Sequence, residues 1–286
     1  MSIRPAGHVP GSTRRRDNRP HPGTPPDASR RTPARTFLRT ADGVPIDAVH
    51  EPRTGGYGTS GLVFVVAHGF TGDADRPHVR RIAAAFARHG AVVTFSFRGH
   101  GASGGRSTVG DREVLDLAAA VAWARGLGHT RVVTVGFSMG GSVVLRHAAL
   151  YADDDAAATD AVVSVSSPAR WYYRGTAPMR RLHWLVMRPA GRVVGRYGLR
   201  TRIHHRDWDP VPLSPVRAAA RIAPTPLLIV HGDRDGYFPL DHPRMLAEAA
   251  GDHGELWLEP GMGHAEHAAE AGLLRRIGDW AVSRAG

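Results

Sequence analysis

The chain has 286 residues, of which 42% are hydrophobic, so it can bury the core of one large α/β domain or of two smaller ones. It contains no lysine and no cysteine, which excludes Schiff-base enzymes, phosphate-loop lysines, thiol nucleophiles, disulfides and cysteine-bound zinc. The formal net charge is +11, but residues 1–35 hold eight arginines against two aspartates, so much of the excess belongs to the N-terminal segment and no specific nucleic-acid partner is expected.

Residues 1–34 are rich in proline and arginine and have almost no large apolar side chains. Such a segment cannot bury enough surface to offset the entropy of ordering, so we expect a disordered basic tail. Ser12-Thr-Arg-Arg-Arg16 is weakly similar to a twin-arginine export signal, but prolines occupy the place of the apolar run that should follow. We therefore expect a cytoplasmic protein without a transmembrane segment.

The remainder, residues 35–286, is predicted to form one domain in which strands and helices alternate. Its first two strands, 35–40 and 44–50, flank an Asp-Gly turn and predict a β-hairpin. The later strands are predicted at 61–69, 91–97, 131–137, 161–167, 226–231 and 255–259, and the helices at 77–89, 111–127, 139–151, 242–250 and 270–284. This order predicts a doubly wound, mostly parallel eight-stranded sheet whose ligands gather at the carboxyl ends of the strands.

One stretch, residues 131–150, joins a β-branched run to an apolar helical pattern through Gly136-Phe-Ser-Met-Gly140. The two glycines permit a tight reversal that lifts the hydroxyl of Ser138 clear of the strand end, as in a nucleophile elbow. Gly101-Ala-Ser103-Gly-Gly105 fits the same spacing, but no helical pattern follows it. The context therefore favours Ser138 over Ser103 as the nucleophile.

Residues 168–223 interrupt the alternation and are predicted to form a small cap over the site. They are rich in aromatic residues and arginine. Leu182, Leu185, Val186 and Val193 fall near one helical face, although Pro189 should kink or end that helix. We expect the apolar side to pack on the core and the arginines to face solvent, with contact to an anionic substrate or a membrane surface as alternatives. The cluster His204, His205, Asp207 and Asp209 is not expected to bind a metal.

Five segments lie in an order that resembles the α/β-hydrolase family over residues 36–284. They are His68-Gly-Phe70, Phe97-Arg-Gly-His-Gly-Ala-Ser-Gly104, Gly136-Phe-Ser-Met-Gly140, His231-Gly-Asp-Arg-Asp235 and Gly261-Met-Gly-His264. The order Ser, Asp, His in this resemblance implies a serine hydrolase that acts through an acyl-enzyme.

A serine hydroxyl is a weak nucleophile, so Ser138 needs a base within hydrogen-bonding reach. His264 lies on a glycine-flanked loop after a predicted strand and is the best placed, with His267 as the alternative. Asp235 is our choice for the carboxylate that orients the imidazole, because it stands at the family's His-Gly-x-x-Asp spacing. Asp233, in the same loop, is its competitor.

The resemblance assigns the oxyanion hole to the backbone N–H groups of Phe70 and Met139. His68-Gly-Phe70 contains one glycine rather than a glycine-rich run, which indicates modest acyl groups. His68 itself is expected to hold this loop by hydrogen bonding.

These observations predict a monomeric serine hydrolase, a carboxylesterase acting on small or medium esters without a cofactor or metal. The same triad serves thioesterases, peptidases of the proline-iminopeptidase kind and acyltransferases, and the residues do not separate these activities. Haloalkane dehalogenases and epoxide hydrolases are disfavoured because their elbow carries aspartate where this chain has Ser138. A catalytically inactive binding protein on the same fold is the alternative from a different functional class.

Overall fold

The computed structural model describes residues 33–55 and 61–285, so the predicted tail lies outside the described residues apart from its last two positions. Eight strands form one sheet, as predicted. They are β1 (Ala34–Arg39), β2 (Pro45–Glu51), β3 (Leu62–Ala67), β4 (Ala91–Phe95), β5 (Arg131–Phe137), β6 (Ala161–Val165), β7 (Leu227–Gly232) and β8 (Gly254–Glu259).

The strand order in the sheet is β1-β2-β4-β3-β5-β6-β7-β8. Strands β1 and β2 pair antiparallel, and β2 also pairs antiparallel with β4. All the other pairs are parallel. The mostly parallel, doubly wound sheet that the sequence predicts is therefore confirmed. Because β3 to β8 run in one direction, the loops after β3, β5, β7 and β8 all leave the sheet at the same edge.

Helices cover both faces of the sheet. They are α1 (Pro77–Phe86), α2 (Glu113–Gly126), α3 (Met139–Leu150), α4 (Ala177–Met187), α5 (Pro189–Gly198), α6 (Pro215–Ala219), α7 (Asp241–Ala250), α8 (Ala265–Ala268) and α9 (Ala271–Arg284). Among the described residues, no helix is both long and apolar enough to pass through a bilayer.

The alternation of side chains along β3 divides the core into two layers. Val63, Val65 and Ala67 face the layer that receives helices α2, α3, α6 and α7. Leu62, Phe64 and Val66 face the opposite layer, which receives α1 and α9. The ring of Phe64 stacks on that of Phe86 from α1 at 4.8 Å. A strand that is buried on both faces needs apolar residues at every position, which explains its unbroken apolar sequence.

Strand β6 ends at Val165, two residues earlier than predicted, because Ser166 has a φ of +51° and leaves the extended conformation there. Between β6 and β7, helix α4 ends at Met187 and α5 begins at Pro189, in agreement with the expected effect of that proline. Helices α4 and α5 pack on each other, whereas α6 packs on α3 and α7. We propose that α4 and α5 form the body of the cap.

Candidate active site

Ser138 lies in the turn between β5 and α3. Its φ is +51°, a backbone conformation that residues other than glycine rarely adopt. The two flanking glycines make this turn possible by close packing. A Cβ atom on Gly136 would lie 2.2 Å from the carbonyl oxygen of Gly140, and one on Gly140 would lie 2.2 Å from that of Ala67. The spacing seen in the sequence is therefore a steric requirement of this turn.

Replacing Gly140 by alanine should lower the free energy of unfolding by about 1–3 kcal/mol, because the added methyl group meets backbone atoms that cannot move separately. Thermal unfolding of the purified variant measures this. Gly126→Ala is the matched control, since Gly126 ends α2 and a methyl group added there would have no neighbouring atom within 4 Å. We expect its midpoint to be unchanged or slightly raised, because alanine favours helix. An unchanged midpoint for Gly140→Ala would contradict the steric argument.

Ser138, His264 and Asp235 come together from the loops after β5, β8 and β7. The Oγ atom of Ser138 lies 2.9 Å from Nε2 of His264. Nδ1 of the same imidazole lies 2.7 Å from Oδ2 of Asp235. An ionised carboxylate only accepts hydrogen bonds, so Nδ1 carries the proton and Nε2 is free to accept the serine hydrogen. The arrangement has the geometry of an activated nucleophile with an oriented base.

The Asp235 side chain is fully buried, and its other oxygen accepts the backbone N–H groups of Tyr237 and Phe238 at 2.8 and 3.1 Å. Burial acts to raise the pKa of this carboxyl, but the hydrogen bond and charge of His264 together with the Tyr237 N–H outweigh it, so the pKa is lowered. Asp235 therefore stays ionised at neutral pH and fixes the tautomer of His264.

The two alternatives from the sequence take other places. Asp233 is exposed, and its Oδ1 accepts the backbone N–H of Gly261 at 2.7 Å, which ties the loop after β7 to the loop after β8. The ring of His267 packs against that of His78 in a tilted arrangement, with centroids 4.2 Å apart. Neither side chain is the one that contacts the Ser138–His264 pair, so the geometry favours Asp235 and His264.

His68 holds the loop that carries Phe70. Its Nδ1 donates to the carbonyl oxygen of Gly69 at 2.7 Å, and its Nε2 accepts the N–H of Phe97 at 3.0 Å. Burial lowers the pKa of His68 to about 3, so the ring stays neutral and keeps both bonds. This agrees with the expected hydrogen-bonding role of His68. Phe70 and Met139 line the same cleft as Ser138, which is where the two predicted oxyanion donors are required.

Two further residues, neither of them predicted from the sequence, fix the backbone of loops at the site by hydrogen bonding. The buried carboxylate of Glu266 accepts the N–H of Gly69. Ser166 accepts the N–H of Ala265, directly after His264, at 3.1 Å. Glu266 lies only two residues beyond His264, a proximity that offered a signal, whereas nothing local marks Ser166. Both connect the histidine loop after β8 to the chain that follows other strands, β3 in the case of Glu266 and β6 in the case of Ser166.

The imidazole of His264 is also enclosed by two rings from the loop after β7. Tyr237 stacks on it with centroids 4.1 Å apart and planes 23° from parallel. Phe238 approaches edge-on at 5.6 Å. Neither residue was predicted from the sequence. Together they restrict the orientation of the base and limit the access of water to it.

A cleft lies over Ser138, and its lining is largely apolar. Helix α4 provides one wall with side chains at helical spacing: Met179, Leu182, His183, Val186 and Met187. Trp171 and Trp208 also line the cleft, and their indole N–H groups donate to the carbonyl oxygens of Pro212 and Thr108. Side chains of the segment predicted to form the cap therefore line the cleft.

Two other sequence candidates make structural contacts. Ser103 is buried, donates to the carbonyl oxygen of Ser96 and accepts the N–H of Asp47, so its hydroxyl is held inside a loop. His204 and His205 stack on each other at 5.0 Å. Within residues 33–55 and 61–285, no group of three or more histidine or acidic side chains is arranged to hold a metal ion.

A family model described as "Alpha/beta hydrolase family" matches residues 62–273. Among curated proteins, a monoacylglycerol lipase of Mycolicibacterium smegmatis is 28% identical over 260 residues, which cover 77% of this chain and 88% of the lipase.

Solved structures with the same fold include two bacterial or archaeal hydrolases. An esterase of Pyrococcus furiosus has a TM-score of 0.68 at 21% identity, covering 93% of this chain and 97% of the esterase. A serine hydrolase "without lid" from Xanthomonas campestris has a TM-score of 0.60 at 21% identity, covering 88% and 94%. At this level of identity the likeness concerns the fold.

Proposed function

Because this chain belongs to the alpha/beta hydrolase family, we propose that it is a serine esterase that cleaves carboxylic esters with a medium-length acyl chain. The observation that carries the proposal is the continuous series of hydrogen bonds from Ser138 through His264 to Asp235, opening on an apolar cleft. Its similarity to a monoacylglycerol lipase supports ester hydrolysis as the reaction class.

The first step is the attack of Ser138 Oγ on the ester carbonyl carbon. Nε2 of His264, 2.9 Å away, takes the hydroxyl proton as the new C–O bond forms. The resulting imidazolium is stabilised by the ionised Asp235 at Nδ1. The electron pair of the carbonyl moves to its oxygen and gives a tetrahedral oxyanion.

The backbone N–H groups of Met139 and Phe70 donate hydrogen bonds to this oxyanion. In a dry site each such donor stabilises the transition state by about 3–4 kcal/mol. His264 then returns its proton to the departing alcohol oxygen as the acyl C–O bond breaks, leaving Ser138 acylated. A water molecule activated by the same imidazole attacks the acyl carbon, and collapse of the second oxyanion releases the acid and restores the hydroxyl.

The cleft supports a medium rather than a very short acyl group. Each methylene removed from water against its apolar lining contributes about 0.8 kcal/mol. The single glycine in His68-Gly-Phe70 argues against a very wide acyl entrance. For the alcohol part of the ester, glycerol monoesters are the first natural candidates because of the lipase relative.

The proposal is tested with p-nitrophenyl esters from acetate to palmitate and with glycerol monoesters. We expect kcat/KM to rise from acetate to octanoate and then to level off or fall. Thioester and amide analogues of the best substrate are measured alongside, and a higher kcat/KM for either would replace the ester assignment. Failure of the fresh protein to react with a fluorophosphonate probe would favour the inactive binding protein instead.

Filling the cleft should shorten the acyl preference. Val186→Trp places a large ring in the wall formed by α4, so kcat/KM for octanoate should fall about tenfold or more through lost methylene burial while acetate changes little. Arg181→Trp is the matched control, because Arg181 is exposed on the same helix and does not line the cleft. Equal losses of kcat/KM on both substrates, or the same loss in the control, would show that the acyl chain does not bind in this cleft.

A further inference from the structure

The outer side of the proposed cap exposes large apolar side chains. We call this face, formed by residues 180–200 of α4, α5 and the residues that follow, the cap surface. Its exposed apolar members are Trp184, Met187, Val193, Val194, Tyr197 and Leu199. Tyr197 is 76% exposed and Val193 is 57% exposed. Such side chains grouped on two adjacent helices form the kind of patch that marks an interaction site.

The same surface carries a strong positive charge. No aspartate or glutamate occurs between Asp160 and Asp207, whereas residues 180–200 alone contain six arginines. The hydrogen bonds of Arg180 and Arg192 go to backbone carbonyl oxygens, and that of Arg174 goes to His183. No carboxylate from the same stretch is therefore available to neutralise their charges.

A groove lined by arginines lies beside the catalytic cleft. Arg174, Arg180, His183, Trp184, Met187 and Arg188 line it. His183 and Met187 also line the cleft that contains Ser138. One end of α4 therefore separates an arginine-lined groove on the outside from an apolar chamber on the inside.

We propose that the cap surface docks on membranes that carry anionic lipids, with lipid phosphates against the arginines and Trp184, Val193 and Tyr197 at the level of the headgroups and upper acyl chains. Basic residues beside exposed aromatic and aliphatic side chains are the combination that binds this interface. Two other partners fit this surface less well than a membrane. A second copy of the cap surface would place arginines opposite arginines, and a nucleic acid would place a polar surface against the aliphatic side chains.

The test measures sedimentation of the full chain with vesicles. Every protein carries Ser138→Ala, so that lipid binding is measured apart from ester turnover and its failure is distinguishable from that of the proposed function. We expect binding to vesicles of phosphatidylcholine with phosphatidylglycerol, little binding to phosphatidylcholine alone, and weakening by salt.

Charge reversal identifies the surface responsible. Arg188→Glu with Arg196→Glu should lower the partition coefficient at least about tenfold. Arg217→Glu with Arg275→Glu makes the same change in net charge on α6 and α9, at exposed positions outside the cap surface, and should have a much smaller effect. The N-terminal arginines are present in every variant, so their contribution is constant.

The apolar contribution has its own pair of variants. Val193→Asp should weaken binding, whereas Phe37→Asp should not, although Phe37 on β1 is as exposed as Val193. Brominated lipids should quench tryptophan fluorescence, and Trp184→Phe should remove that quenching while keeping most of the binding. Thermal midpoints near that of the parent show that the variants are folded.

Four results would overturn the proposal. They are equal losses in the two arginine pairs, vesicle binding that no cap variant changes, binding to duplex DNA without binding to vesicles, and a dimer that Val193→Asp dissociates.

Discussion

Replacing Ser138 by alanine is expected to lower ester turnover by at least about 10³-fold, since a nucleophile and its base act as a unit. The Ser138 hydroxyl is hydrogen-bonded to Nε2 of His264. When the hydroxyl is removed, Nε2 can form a hydrogen bond with water instead. The variant should therefore unfold at a temperature close to that of the parent. Turnover of p-nitrophenyl octanoate and a thermal melt measure the two quantities.

Ser103→Ala provides the matched control, because Ser103 has the same glycine spacing in the sequence. Its buried hydroxyl makes two hydrogen bonds, to Ser96 and from Asp47, so its loss should cost about 1–3 kcal/mol of stability. At a temperature where the variant is folded, its turnover should be close to that of the parent. If Ser103→Ala were folded and inactive while Ser138→Ala remained active, the nucleophile would be misassigned.

The second large effect is expected from Asp235→Asn, which should lower kcat by up to about 10⁴-fold, the figure known for the corresponding change in a serine protease. The amide would donate where the carboxylate accepts, and His264 would be held in the tautomer whose Nε2 cannot take the serine proton. The size of the side chain and its turn are nearly unchanged, so the thermal midpoint should fall much less than the rate.

Asp233→Asn tests the competing assignment in the same loop. Asp233 accepts the N–H of Gly261, and an asparagine oxygen can still accept that bond, so both rate and midpoint should change little. Asp233→Ala removes the acceptor and should lower the midpoint more than the rate. We would transfer the orienting role to Asp233 if Asp233→Asn were the folded, inactive variant and Asp235→Asn kept its turnover.

The parts of this protein that the sequence determined by itself are those set by neighbouring residues. Buried parallel strands require unbroken apolar runs, and the run in β3 identified it without other information. The elbow at Ser138 requires glycines at fixed positions because of backbone contacts within a few residues, so its spacing was readable. The break between α4 and α5 at Pro189 is local in the same sense.

The tertiary structure alone decided which side chains meet across distant segments. The direction of Asp235 rather than Asp233 toward His264 depends on how the loops after β7 and β8 lie together. The hydrogen bonds from the Gly69 N–H to Glu266 and from the Ala265 N–H to Ser166 join residues 197 and 99 positions apart.

The cap shows the same limit from the outside. A helical pattern indicates that α4 and α5 have apolar side chains, but not which of them face the cleft and which remain in water. Local steric constraints and periodicity depend on contiguous residues. These contacts and exposures, by contrast, arise only when elements far apart in the chain pack against one another.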